Sequence, residues 1–232
     1  MKSNVDAESG SLFQAYYDAL GEVEQKNAPT QLYWEGDFSL LTHGVRVSIV
    51  GSRDASEQGL MRAEILAKSL VDQGIIVVSG LALGIDTVAH KSAIKYGGKT
   101  IAVLGTPLNK VSPVENKLLL NEIKNKHLAI SQFPEGANLD QRSFPMRNRT
   151  MALITDATII IEAGEKSGTR HQGWEALRLG RMVYLLENVV SDSNLSWPKE
   201  MINYGAQVMT RENHVELISN IPSFTSRVEL SF

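Results

Sequence analysis

From Val45 onward, short runs rich in β-branched residues alternate with longer amphipathic stretches, the pattern of a parallel sheet covered by helices on both faces. The runs predict at least six strands: 45–50 (VRVSIV), 75–79 (IIVVS), 100–104 (TIAVL), 128–131 (LAIS), 157–161 (ATIII) and 182–186 (MVYLL). Most are largely apolar, as strands buried on both faces are. Between them, helices are predicted over 56–73, 86–96, 114–126, 145–154 and 170–179. The first sets Leu60, Ala63, Leu66, Ala67 and Leu70 at helical spacing, opens at Ser56 as N-cap and stops at Gly74. The second begins at Asp86 and closes at Gly97-Gly98, and the last is stopped by Gly180.

Ahead of this region, 10–26 reads as one amphipathic helix (Leu12, Phe13, Tyr16, Tyr17, Leu20, Val23), followed by a turn at Pro29 and a short segment over 31–34. Past 190 the pattern weakens into a loop, SDSNLSWPKE, and then a helix–strand–helix over 199–220. The organisation expected is an N-terminal helical segment (1–30), an α/β core (31–190) and a C-terminal extension (191–232) packed on the core.

Composition narrows the function classes. The 232 residues are 43% apolar, 21% charged and 6% aromatic, an ordinary globular balance. Apolar runs fall far below the ~18 residues of a membrane helix. No apolar segment follows the single early lysine of MKSNVDAESG, so no secretory signal is visible. The absence of cysteine excludes disulfides, zinc–thiolate and iron–sulfur sites and fits a cytoplasmic protein. The 23 basic against 26 acidic side chains leave a formal charge of −3, so any nucleic-acid binding must be local. Arg142, Arg147 and Arg149 do cluster locally, whereas the histidines at 43, 90, 127, 171 and 214 show no i, i+4 metal-binding pair.

In an open parallel sheet the loops leaving the carboxyl ends of the strands converge on one crevice. Here they are rich in small residues: Gly51-Ser52-Arg53, Ser79-Gly80-Leu81-Ala82-Leu83-Gly84-Ile85-Asp86, Gly105-Thr106-Pro107, and Glu162-Ala163-Gly164-Glu165-Lys166-Ser167-Gly168-Thr169. Glycine and serine between strand and helix let backbone N–H groups approach an anion, helped by the helix N-terminus, and Arg53 adds a forked donor. Any one such loop is ordinary turn chemistry; several on one edge point to a phosphate-bearing ligand. The fingerprints G-x-G-x-x-G and G-x-x-x-x-G-K-[ST] are absent, so nicotinamide and P-loop readings lack their motifs. The segment Phe144-Pro145-Met146-Arg147-Asn148-Arg149 offers further phosphate partners and an aromatic stacking surface.

In chain order, Ile49-Val50-Gly51-Ser52-Arg53, Ser79-Gly80-Leu81-Ala82-x-Gly84-Ile85-Asp86-x-x-Ala89-His90, Pro113-x-x-Asn116, Phe144-Pro145-x-Arg147-Asn148-Arg149 and Ser167-Gly168-Thr169 form a specific series. It resembles the DNA-processing protein A (DprA/Smf) family from about Leu32 to Leu186. The resemblance implies an extended Rossmann-like, doubly wound and mostly parallel domain that binds single-stranded DNA and forms a homodimer. In transformable bacteria, the context of natural competence, it also implies delivery of the strand to a RecA-type recombinase. Phosphate neutralisation and base stacking need no metal, cofactor or catalytic group. Carried over, Gly51, Ser52 and Arg53 line the phosphate pocket, Ser79, Gly80 and Gly84 border it, Arg147, Asn148 and Arg149 extend the basic surface, and Ser167, Gly168 and Thr169 complete it. The chain departs from the family at Pro107, at Ser112-Pro113-Val114, at Gln132 and at Arg170-His171. Lys110 or Lys117 then stands in for the family's lysine near Val114.

Two other readings use the same loops. Met146-x-x-Arg149-x-Met151 followed by Gly168-Thr169 and Glu175 is also similar to the LOG-type nucleoside monophosphate phosphoribohydrolases. There Glu175 or Glu162 would stabilise an oxocarbenium-like centre while arginine holds phosphate. A nucleotide-sensing domain would use the same pocket.

Overall fold

A computed structural model describes residues 13–223. Its centre is one eight-stranded sheet in the order β1-β5-β4-β3-β2-β6-β7-β8. In chain order the elements are α1 (described over 13–18), α2 (Glu22–Asn27), β1 (Tyr33–Gly36), α3 (Ser39–Thr42), β2 (Arg46–Val50), α4 (Glu57–Asp72), β3 (Ile76–Ser79), α5 (Ile85–Lys95) and β4 (Thr100–Leu104). A 3₁₀ turn (Val114–Asn116) leads into α6 (Lys117–Lys126), β5 (Leu128–Ser131), α7 (Ser143–Ile154), β6 (Ala157–Ile160) and α8 (Gly168–Arg178). The chain continues through β7 (Met182–Leu186), α9 (Glu187–Val190), α10 (Trp197–Asn203), β8 (Gln207–Met209) and α11 (His214–Ser219). The fold is thus α/β and Rossmann-like.

All pairings are parallel except β1 with β5, which set Tyr33 opposite Ser131 and Gly36 opposite Leu128. From β2 the connections run outward in one direction through β3, β4 and β5, then return to β6 on its other side. Right-handed crossovers therefore place α4, α5 and α6 on one face and α7 and α8 on the other. Between β2 and β6 the strand order reverses, which opens a crevice at their carboxyl ends. Every residue of β2, β3, β4, β5 and β6 is buried, the polar ones among them (Arg46, Ser48, Ser79, Thr100, Ser131 and Thr158) included.

The six predicted strands all occur, and so do the helix, strand and helix expected over 199–220. The segment expected to be short and unassigned at 31–34 is β1, a real edge strand. Gly36 has φ +107, and a Cβ there would overlap the His127 carbonyl, so the close approach of β1 to the end of α6 requires glycine. The single helix expected over 10–26 is not formed within the described residues: α1 ends at 18, and α2 starts only after Gly21. The Gly21 N–H donates to the Glu24 carboxylate (2.7 Å), and the break lets Tyr16 and Glu24 both face the body of the protein. Glu24 pairs with the buried Arg181. Positions 10–12 lie outside the described residues. The helix predicted at 114–126 begins with the 3₁₀ turn instead. Past 190, β8 joins the same sheet beside β7, and residues 224–232 lie outside the described residues.

Candidate functional site

The crevice between β2 and β6 is a cleft of about 440 Å³. Its walls come from the β2–α4 loop (Gly51, Ser52, Arg53, Asp54), the β6–α8 loop (Gly164, Lys166, Ser167, Gly168, Thr169) and the inward side of α7 (Phe144, Arg147, Asn148, Met151). Ala82, Asp86 and Gln172 complete it. Another cleft, of about 750 Å³, lies between α4 and α11 and is lined by Ile65, Leu66 and Met209 among others; none of the glycine turns reaches it.

Backbone bonds hold the loops together. The Ser52 N–H donates to the Glu162 carbonyl (2.8 Å), and the Ile85 N–H donates to the Ser52 carbonyl (3.2 Å). Gly84 has φ +70 and rests on the Ser52 and Arg53 carbonyls, where a Cβ would collide. The Thr169 hydroxyl donates to the Gly51 carbonyl (3.3 Å), and the Ser167 hydroxyl caps α8 by accepting from the Thr169 N–H (3.2 Å). The N-terminus of α8 thus opens on the cleft with the positive end of its dipole, an environment favourable to an anion. Deeper in the protein, the buried Asn116 amide donates to the Leu81 carbonyl (2.9 Å) and the Thr87 hydroxyl (2.8 Å). It braces Leu81, which among the described non-glycine residues is alone in having positive φ (59°).

At the mouth, the exposed Arg53 guanidinium stands 5.4 Å from the centre of the Phe144 ring, within the range of a cation–π contact. Phe144 in turn lies against Gly105, where a Cβ would come within 2.9 Å of the ring. Arg53 and the exposed Lys166 are the cations of the rim, and Asp54 is its carboxylate.

At the base, Arg147 is only 6% exposed. Its Nη1 donates to the Gly80 carbonyl (2.5 Å) and the Val103 carbonyl (2.9 Å), and its Nε donates to the Asn148 side-chain oxygen (2.9 Å). Asp86, also buried, accepts from the N–H groups of Gly80 (3.1 Å) and Ala82 (3.3 Å). Burial pushes the Asp86 carboxyl upward while the Arg147 charge opposes it; burial likewise lowers Arg147 while Asp86 opposes that. The two form a compensated pair beneath the cleft.

The residues expected to form the site thus divide. Gly51, Ser52, Arg53, Asn148, Ser167, Gly168 and Thr169 line the cleft together. Arg147 reaches it but does not extend a basic surface: its position under the loops makes it a brace for the β3–α5 turn and the end of β4. Ser79 does not border the cleft, because its buried hydroxyl donates to the Ile49 carbonyl (2.6 Å) inside the sheet. Gly80 packs on the Arg147 guanidinium, leaving no room for a side chain, and Gly84 serves the backbone approach described above. Arg149 lies outside, paired with Glu175 (3.4 Å), and Arg142 is paired with Asp140 (2.7 Å). Lys110 and Lys117 are exposed and form no part of the cleft wall. Sequence reasoning missed Lys166 and Gln172. The first stands inside a glycine loop already singled out, and the second follows Thr169 by three residues on the same helical side.

The acids required by the hydrolase reading are engaged elsewhere. The Glu162 carboxylate accepts from the Ser56 N–H (3.0 Å) and hydroxyl (2.6 Å), capping α4, and Glu175 bridges Arg149 and Arg178 (3.1 Å). Among the described residues no group of three or more His, Cys, Asp or Glu side chains is placed to hold a metal ion, and no helix is long and apolar enough to cross a membrane.

The family model for DNA recombination-mediator protein A matches residues 11–220. DNA processing protein DprA of Bacillus subtilis is 32% identical over 78% of this chain and 61% of its own length; that of Streptococcus pneumoniae is 37% identical over 79% and 64%. The chain therefore spans somewhat under two thirds of these curated relatives. An X-ray structure of DprA from Streptococcus pneumoniae superposes with a TM-score of 0.75 at 34% identity, over 86% of this chain and 71% of that one. A structure of DNA processing protein A from Helicobacter pylori, described for its unique single-stranded DNA binding mode, superposes with a TM-score of 0.74 at 27% identity, over 88% of this chain and 90% of that one. With the family model matching residues 11–220 and curated relatives identical at 32% and 37%, the chain belongs to the DNA recombination-mediator protein A (DprA/Smf) family.

Proposed function

We propose that this protein binds single-stranded DNA at the β2–β6 cleft. The observation that carries the reading is the Arg53–Phe144 pair at the mouth of a cleft walled by glycine turns and the N-terminus of α8. A phosphate meets backbone N–H groups and Arg53, and a base meets the Phe144 ring, so binding neutralises charge and stacks a base without reading sequence. The family match and the single-strand binding named for the Helicobacter pylori protein support the same assignment. In the fuller reading, the protein acts as a homodimer in the cytoplasm and passes the strand to a RecA-type recombinase.

Fluorescence anisotropy of a labelled single-stranded oligonucleotide tests it, using wild type and Arg53→Ala with duplex of the same sequence as competitor. Salt-sensitive binding that prefers the single strand and weakens in the variant is the expected result. No binding at low salt overturns the assignment and turns attention to a free nucleotide as ligand.

A further inference from the structure

The cleft between α4 and α11 has its origin in the topology. The β6–β7 connection places α8 on one face of the sheet, and α10, on the way to β8, packs against α8 on that same face. Over β7 and β8 the α4 face receives no crossover helix, and the six-residue α11 that follows β8 turns back to cover part of it. Tyr184 is covered in this way, its hydroxyl donating to the Leu217 carbonyl (3.3 Å). Leu186 lies two residues further along β7, on the same side of the sheet, and pairs in register with Met209. These two are left to floor a cleft of about 750 Å³ at the carboxyl ends of their strands.

The walls combine apolar surface with positive charge that no carboxylate meets. Ile65 of α4 lines the cleft and is 57% exposed; Met61, one turn earlier on the same helix, and Val215 of α11 are exposed as well. The exposed or half-buried Arg142, Arg149, Arg170 and Arg178 each pair with a carboxylate, whereas among the described residues Arg53, Arg62 and Arg211 do not. Arg53 belongs to the first cleft, and both of the others line this one, against a single lining carboxylate, Glu187. The His214 Nδ1 donates to the Arg211 carbonyl (2.8 Å), which holds the imidazole on the same rim. No Phe, Tyr or Trp lines the cleft, so it lacks the stacking plane on which single-strand binding depends. Met61 and Ile65 stand at i, i+4, a row of the kind that packs against a second helix.

We propose that the groove between α4 and α11 docks an acidic amphipathic helix of a partner protein, with aliphatic side chains over Ile65, Leu186 and Met209 and carboxylates on Arg62 and Arg211. An apolar floor edged by free guanidinium groups is complementary to such a helix in both shape and charge. No residue lines both clefts, so a partner and a ligand of the first cleft are held at separate places. The inference does not depend on the single-strand reading.

The test is calorimetric titration with a synthetic peptide of about 15 residues, long enough to form a helix, with leucines at i, i+3, i+4 and i+7 and glutamates flanking them. The comparison is the same peptide with lysine for every glutamate. Binding of the glutamate peptide alone, weakening as salt is raised, is the expected result. Ile65→Ser should weaken it roughly tenfold or more, the effect of losing one buried aliphatic side chain. Arg62→Ala and Arg211→Ala should each weaken it by up to about fivefold, the effect of an exposed ion pair. All three variants should keep the wild-type melting temperature and the wild-type affinity for single-stranded DNA. No binding of the glutamate peptide, equal affinity for the two peptides, or equal affinity of wild type and Ile65→Ser overturns the docking site. A fall in single-strand affinity in Arg62→Ala and Arg211→Ala gives the groove to nucleic acid instead, and a changed sedimentation coefficient in Ile65→Ser gives it to a second copy of the chain. Peptide binding that appears only in a variant ending at Ser223 gives it to residues 224–232; each of these three outcomes overturns the proposed partner.

Discussion

The Arg147 guanidinium donates to the Gly80 carbonyl at 2.5 Å, across 67 positions of sequence, and lies so close to Gly80 that no side chain fits between them. This contact joins the FPxRNR helix to the SGLAxGID loop, and it gives the arginine a structural duty where sequence alone suggested a contact to ligand. Gly80→Ala should therefore displace the guanidinium and destabilise the protein by about 2 kcal/mol or more. Urea denaturation measures it; a midpoint within error of wild type would refute the brace.

Arg53 and Arg147 should separate cleanly in a pair of variants. Removing Arg147 leaves Asp86 buried beside two amides without its countercharge, a loss of about 3–5 kcal/mol. Burial already raises the Asp86 carboxyl above its unfolded value, and the variant raises it further, so the folded variant binds a proton that the unfolded chain does not. The stability deficit of Arg147→Ala relative to wild type should thus shrink as pH falls toward the ordinary Asp range. Arg53→Ala, on the exposed rim, should change stability by no more than about 0.5 kcal/mol and lower the salt slope for single-strand binding by about 0.7. Equal stability of the two variants would reject the division of roles.

His90 supplies a second pH dependence. It is fully buried, and burial first, then His127 and Arg147, lower its pKa to about 3. The Thr100 hydroxyl donates to the Val77 carbonyl (2.7 Å), so it accepts from His90 Nδ1 (2.7 Å), and the ring sits neutral with its proton on Nδ1. Between about pH 3 and the unfolded value near 6.5 the unfolded chain binds the extra proton, so stability falls as pH falls, by up to about 1.4 kcal/mol per pH unit. In His90→Gln this component should vanish from the pH dependence of chemical denaturation; an unchanged profile would refute it.

Ser56 sets the entry to α4 through two bonds. Its hydroxyl accepts from the Gly59 N–H (3.0 Å) and donates to Glu162 (2.6 Å), tying α4 to the end of β6. Ser56→Ala should cost about 1 kcal/mol as a lost N-cap. If Glu162 acts only through this cap, Glu162→Gln should leave single-strand affinity within twofold of wild type, with ~0.4 kcal/mol as the corresponding free energy. A larger loss measured by anisotropy would return Glu162 to the ligand.

The central strands and their crossover helices were legible because burial on both faces favours short, largely apolar runs, and runs such as Ile159-Ile160-Ile161 with Gly74 or Gly180 behind a helix are local signals. Edge strand β1, half-buried at Tyr33 and Trp34 and exposed at Glu35 and Gly36, carries too short a pattern to announce itself. The glycine loops of the cleft were equally legible, since the need for small residues at a tight turn is also local. What the tertiary structure alone decided is which charges face the cleft. Arg53, Arg147 and Arg149 look alike in sequence, yet the first stands over an aromatic ring at the rim, the second is buried under the carbonyls of Gly80 and Val103, and the third is paired with Glu175. Their partners come from distant parts of the chain. The charge of a side chain is a property of the residue, but its burial and its pairing are properties of what the fold packs around it.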